Sequence, residues 1–150
     1  IYIQTPYFIP DEAMMAALRI ASMSGVDVKV MIPCKPDHPF VYWATYSFVG
    51  ELLEAGARCY TYDNGFLHAK GIMVDGLAAS FGTANMDMRS FYLNFEVNAV
   101  IYSSEVTRKL EDIFLKDLGK STEITPYDYS QRNLIIRLKE QVSRLLSPIL

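Results

Sequence analysis

Strand-length apolar runs alternate along this chain with helix-length segments, punctuated by proline where helices would start and by glycine where they would stop. That alternation is the signature of an α/β domain. Residues 1–4 read as a first strand, and Pro10-Asp11-Glu12 opens a helix that runs to Ser24 and stops at Gly25. Residues 26–32 form a buried strand, after which Pro33, Pro36 and Pro39 mark a loop into a helix over about 40–55, closed by Gly56. Strands follow at 57–62, 69–74, 78–81 and 96–101, with Asp63-Asn64-Gly65 as one turn and Asp75-Gly76 as a tighter one. Ser103 or Ser104 caps a helix that carries Val106, Leu110, Ile113, Phe114 and Leu118 on one face. A last helix, over roughly 130–146, shows Ile135, Leu138, Val142 and Leu145 at helical spacing, while 116–128 reads as an irregular surface connection.

With 150 residues and 51% hydrophobic content, residues 1–150 fit one domain with a sizeable core. The formal net charge is -3, so the balance carries no basic nucleic-acid footprint and no nucleic-acid partner is expected. Cys34 and Cys59 form no Cys-x-x-Cys pair and lack the clustering of a zinc site; they read as reduced, buried thiols. No apolar run reaches the ~20 residues of a membrane span, so the chain is expected to be soluble. It opens directly in a strand with no leader, which suggests a fragment of something longer.

Chemistry concentrates in the eighteen residues 68–85, where His68, Lys70, Asp75, Gly82, Thr83 and Asn85 are spaced His-x-Lys-x4-Asp-x6-Gly-Thr-x-Asn. Six specified positions at fixed spacing arise by chance with a probability below about one in ten thousand. A lone histidine is more often structural and a lone lysine solvated, so the ensemble carries the argument. On a strand, residues two apart share a face, which points His68 and Lys70 the same way and buries Ile72 and Val74 under a covering helix. Asp75 has the opposite parity, and a turn role suits it better than chemistry. Gly82 allows close approach of backbone, while Thr83 and Asn85 offer a hydroxyl and an amide to a phosphate oxygen.

A histidine imidazole can attack phosphorus and form a covalent intermediate, with Lys70 stabilising charge on the phosphate oxygens. Its other nitrogen then needs a proton acceptor, and Glu96 in Asn94-Phe95-Glu96 is a candidate beside the alternative of a solvated strand-end acid. No carboxylate cluster suggests a metal, and no cofactor is called for.

The stretch 68–85 resembles the His-Lys-Asp motif of the phospholipase D superfamily at all six specified positions. The flanking segments 3–10, 65–70, 85–91 and 93–98, and the ending at 144–148, are similar to the carboxy-terminal half of bacterial cardiolipin synthases. The resemblance implies a half-domain with a mixed β-sheet flanked by helices. It also implies transfer of a phosphatidyl group between two phosphatidylglycerol molecules, giving cardiolipin and glycerol through a phosphohistidine. In its terms His68, Lys70 and Asp75 are the motif's named residues, Lys70, Thr83 and Asn85 bind the phosphate, and Glu96 orients His68.

Family members use two such motifs, one histidine as nucleophile and the other as acid, whereas this chain holds one. His38, between Asp37 and Pro39, has no lysine two residues on and cannot replace the second. Either an amino-terminal half carries the partner motif, or two copies of the chain pair as in single-motif phosphodiesterases and nucleases of the superfamily. An isolated half would be inactive. The resemblance also implies a parent protein at the bacterial cell membrane, on its cytoplasmic face.

Three further features stand outside the motif. The aromatics Phe40, Tyr42, Trp43, Tyr46 and Phe48 suit a lipid channel or bilayer surface, or plain packing of a helix on the sheet. Arg132, Arg137, Lys139 and Arg144 oppose the apolar stripe of the last helix, which suits an anionic membrane, the core or a partner half. Arg89 is placed for a second phosphate or an ion pair.

Overall fold

The structure is a computed structural model that describes residues 1–35 and 37–150; Pro36, expected in the loop before the second helix, lies outside the described residues. In chain order the first half holds β1 (Tyr2–Gln4), β2 (Phe8–Ile9), α1 (Glu12–Met23), β3 (Lys29–Pro33), α2 (Pro39–Glu54) and β4 (Arg58–Tyr62). The second half holds β5 (Gly71–Val74), β6 (Ala78–Gly82), β7 (Met86–Asp87), α3 (Met88–Tyr92), β8 (Asn98–Ile101), α4 (Ser104–Leu118), β9 (Ser121–Ile124), α5 (Pro126–Ser130) and α6 (Leu134–Leu145). A 3-10 turn at Ser147–Ile149 follows.

Seven strands form one mixed sheet in the order β8-β6-β5-β1-β3-β4-β9, with β1, β3 and β4 parallel and every other pairing antiparallel. The sheet is covered on both faces, which explains why β3 is buried along its whole length rather than alternately. Val30 and Ile32 join Met15 and Leu18 of α1 and Ala44, Phe48 and Leu52 of α2 in one core. Met31 and Met73 point the other way, onto Phe114 of α4. Ile72 packs against the first core but stays half-buried, as does Val74, so the fully buried members of β5 are Gly71 and Met73.

Local chemistry sets the helix starts. Asp11, Ser103 and Asn133 each accept a hydrogen bond from the backbone three residues on, and Pro39 occupies the first turn of α2. The Asp75-Gly76 turn has positive φ at both positions, 54° and 61°, as the tight hairpin turn between β5 and β6 requires.

Further expectations change. The stretch 116–128 is not an irregular connection: β9 lies within it and adds an antiparallel edge, Cys59 facing Ile124 and Tyr62 facing Ser121. The last helix is broken, because Asn133 caps a new start after α5. The buried stripe of α4 is Thr107, Leu110, Phe114 and Leu118, while Val106 and Ile113 sit one position off and are exposed. Cys59 is fully buried, its thiol pushed up to about 12 by desolvation, whereas Cys34 is only half-buried.

Candidate functional site

The motif residues other than Asp75 gather at the end of the sheet where β1 and β3 finish, β6 ends and β5 and β8 begin, outside the carboxyl ends of the parallel strands. His68 and Lys70 stand three and one residues ahead of Gly71, where β5 begins. Lys70 is nevertheless held in register, since its carbonyl accepts from the Gly82 amide at 3.2 Å. Its ammonium donates to the His68 carbonyl at 3.0 Å. His68 is exposed, with its ring stacked on Phe66 at 5.7 Å between centroids.

Partial burial lowers the pKa of Lys70, and the carboxylates of Glu96, Asp87 and Asp37 work against that shift. A half-buried cation that feels three carboxylates is not an ordinary solvated lysine.

Gly82 brings β6 against β8 so closely that a Cβ there would meet the Asn98 Cα at 2.6 Å. Immediately after it, the Thr83 hydroxyl accepts from the Val97 amide at 2.9 Å, and the Asn98 side-chain oxygen accepts from the Ala84 amide at 3.2 Å. Thr83 is thus anchored to the β8 side through its oxygen, which leaves the hydroxyl proton to donate. Asn85 is placed by its amide, which donates to the Ser90 hydroxyl at 3.2 Å, and the next amide, of Met86, donates to Thr5 at 3.1 Å. The side-chain oxygen of Asn85 is buried and makes no hydrogen bond. An unpartnered buried amide end costs free energy unless a ligand completes it.

Glu96 accepts from Asn94 at 3.2 Å and from the Ser90 hydroxyl at 3.5 Å. The Thr83 hydroxyl is the leading influence holding it below the usual glutamate range, with Asn94, Ser90 and the charge of Lys70 adding to it. No hydrogen bond joins it to His68 in this structure. Ser90 and Asn94, on and just after α3, both donate to the same carboxylate oxygen, Oε1, so Oε2 is not engaged by them.

Asp75 lies at the other end of the hairpin, roughly 16 Å along the strand from Lys70 at the usual rise per residue. It is exposed, and its neighbour Gly76 donates to Glu111 at 2.7 Å. The turn role is what the geometry gives it. Arg89 is exposed and forms no ion pair among the described residues. His38 is an exposed cap position ahead of α2, its ring 6.2 Å from that of Phe40.

Several residues that support the site escaped sequence reasoning. Asp87 is buried and accepts from the Ser90 amide at 2.6 Å, capping α3. An acid three residues before a serine was a readable capping signal. Thr5 donates to the Tyr7 carbonyl at 2.7 Å, and the Tyr7 hydroxyl donates to Asp37. Burial first, and that bond second, push Tyr7 up to about 12. Nothing local in the sequence pairs residue 5 with 86 or 7 with 37. Among the described residues no group of His, Cys, Asp and Glu is arranged to hold a metal ion, and no helix is long and apolar enough to cross a membrane.

The family model described as "Cardiolipin synthase, PLD-like domain" matches residues 1–118. The chain is 62% identical over its full length to the cardiolipin synthase of Listeria monocytogenes, and 63% identical to the major cardiolipin synthase ClsA of Bacillus subtilis. It spans about a third, 31%, of the length of each of these relatives. Among solved structures, Nuc of Salmonella typhimurium, a phospholipase D family member, matches with TM-score 0.72 at 20% identity, over 82% of this chain and 80% of that one. The phosphatidylserine synthase of Haemophilus influenzae matches with TM-score 0.76 at 16% identity, over 99% of this chain and 41% of that one. At these identities the structural matches establish the mixed-sheet fold.

Proposed function

The chain belongs to the cardiolipin synthase, phospholipase D-like domain family, and from that premise we propose that it is one half of a phosphatidyl-transfer site, completed by a second His-x-Lys half from the rest of the parent protein. The reading is carried by one observation: the backbone bond from Gly82 to Lys70 sets the two motif segments side by side at an open sheet end, with His68 exposed and the side-chain oxygen of Asn85 buried and unpartnered.

In the reaction we infer, an imidazole nitrogen attacks the phosphorus of phosphatidylglycerol, forming a P–N bond. The bond from phosphorus to the glycerol oxygen breaks, and the histidine of the opposite half gives that oxygen its proton. The hydroxyl of a second phosphatidylglycerol then attacks phosphorus, surrenders its proton to the same opposite histidine and breaks the P–N bond. The products are cardiolipin and glycerol. His68 takes one of the two histidine roles and its counterpart the other.

Lys70 supplies positive charge to the non-bridging oxygens, and Asn85, with its amide turned to present nitrogen, donates to one of them. Glu96 adds negative charge near Lys70, and it is the group that orients His68. Asp75 shapes the hairpin. The parent protein works at the membrane where its lipid substrate resides.

The exposed edge next to the site suits a missing half. Leu93, Phe95, Val97, Val100 and Tyr102 are all exposed there, along β8 and its approach. The test combines gel filtration with release of glycerol from phosphatidylglycerol. The chain alone is expected to be monomeric and inactive, to gain activity when the preceding motif-bearing segment of the Bacillus subtilis synthase is added, and to lose at least about 1000-fold on His68→Ala in that complex. Turnover by the chain alone, as monomer or homodimer, overturns the half-site reading. The homodimer result, with hydrolysis of bis-(p-nitrophenyl) phosphate, would assign it to the single-motif phosphodiesterases and nucleases instead.

A further inference from the structure

Helix α6 is inverted. A surface helix normally turns its apolar stripe inward, yet here Leu134, Ile135, Leu138, Val142 and Leu145 are 48–81% exposed. The side facing the protein carries Glu140 and Ser143, 2% and 1% exposed, together with Arg144. This arrangement is built by polar contacts with α2 and with the stretch that follows α5. Arg144 bonds to Glu51 and to the Ser47 carbonyl, and Glu140 lies 3.1 Å from Arg132, which itself stacks on Tyr129. The helix is therefore locked with its apolar side outward.

The exposed charges on α6 are of one sign. Arg137 and Lys139 flank the stripe and are exposed. The only acid on the helix, Glu140, is buried. The stripe continues into an apolar groove of ≈ 350 Å³ between α6 and the start of α2, walled by Phe40, Trp43, Leu138 and Val142. The Lys139 ammonium sits over the Trp43 ring at 5.3 Å. Position ties this face to the site: α2 starts at the same end of the sheet, two residues after Asp37, whose carboxylate is within electrostatic reach of Lys70.

We propose that α6 and the first turns of α2 form a docking face for an anionic bilayer. The helix lies in the interfacial plane with its apolar stripe among the acyl chains, Trp43 at the headgroup level, and Lys139 and Arg137 against lipid phosphates. A protein partner fits less well, since lysine is depleted at the core of protein interfaces and no acidic group of α6 faces outward to pair with one. The inference goes beyond the transfer reaction and is measured without turnover, so the failure of one leaves the other standing.

Trp43 is the single tryptophan, so its fluorescence reports the groove directly. The chain is mixed with vesicles of equal parts phosphatidylglycerol and phosphatidylcholine, or of phosphatidylcholine alone, and followed by co-sedimentation and by Trp43 emission. Binding with a blue shift is expected on the anionic vesicles, weakened by salt and by Lys139→Glu. Leu138→Glu and Val142→Glu, at exposed positions, are expected to weaken it about tenfold or more while circular dichroism stays unchanged. Three results overturn the proposal: no vesicle binding by the folded chain, equal binding by the Leu138→Glu variant, or a concentration-dependent dimer that this variant dissociates without any vesicle binding.

Discussion

Gly82 and Asn98 stand face to face across the β6–β8 ladder, with no room between them for a side chain. The contact holds the strand that leads into Thr83 and Asn85 against the strand that follows Glu96. Both sides of the candidate site therefore depend on one missing methyl group.

Gly82→Ala is expected to destabilise the fold by about 2 kcal/mol, because the added Cβ must push Asn98 and the Val97 carbonyl away. The shift also breaks the bond from the Val97 amide to Thr83. Urea denaturation checks the stability, and transfer in the reconstituted complex is expected to fall with it. An alanine variant of unchanged stability contradicts the close packing.

Glu96 predicts a pH dependence. Its folded pKa lies below the ordinary value of 4.5, chiefly through Thr83, so its contribution is present above that value and is lost as pH falls through the folded pKa. Thermal denaturation of the wild type and of Glu96→Gln is expected to show the variant less stable at neutral pH, with the gap closing at increasingly acid pH. A gap that stays constant across the titration contradicts the assignment.

Arg132 and Glu140 form a pair that is almost closed to solvent, their side chains 15% and 2% exposed. Arg132→Leu leaves a buried carboxylate without its partner and is expected to cost about 3–5 kcal/mol in urea denaturation. Burial raises the pKa of Glu140 while Arg132 opposes that shift, so the penalty is expected to shrink as pH falls and the carboxylate takes up its proton. Replacing both residues by leucine is expected to recover most of the loss.

The α/β class, the motif and the Asp75-Gly76 turn were legible in the sequence because each rests on local chemistry. Punctuation by proline and glycine marks helix ends, residue types at fixed spacing mark the motif, and a turn needing positive φ at two positions selects its residues. Apolar periodicity located most of the strands and helices. It missed β9, a four-residue edge strand that shows only in its pairing with β4.

What tertiary structure decided were matters of partner and direction. The sequence contains Thr83, Glu96 and Asn85 but not the fact that the Thr83 oxygen accepts from the Val97 amide, that Ser90 and Asn94 both donate to one oxygen of Glu96, or that the side-chain oxygen of Asn85 is left unmet. The apolar stripe of α6 was equally visible, yet the side it faces was set by Glu51, Ser47 and Arg132, residues that offer charge and carbonyl oxygen rather than a greasy surface. Periodicity shows that a helix has two faces. Which one is buried follows from the free energy of satisfying polar groups on elements that are distant in the chain.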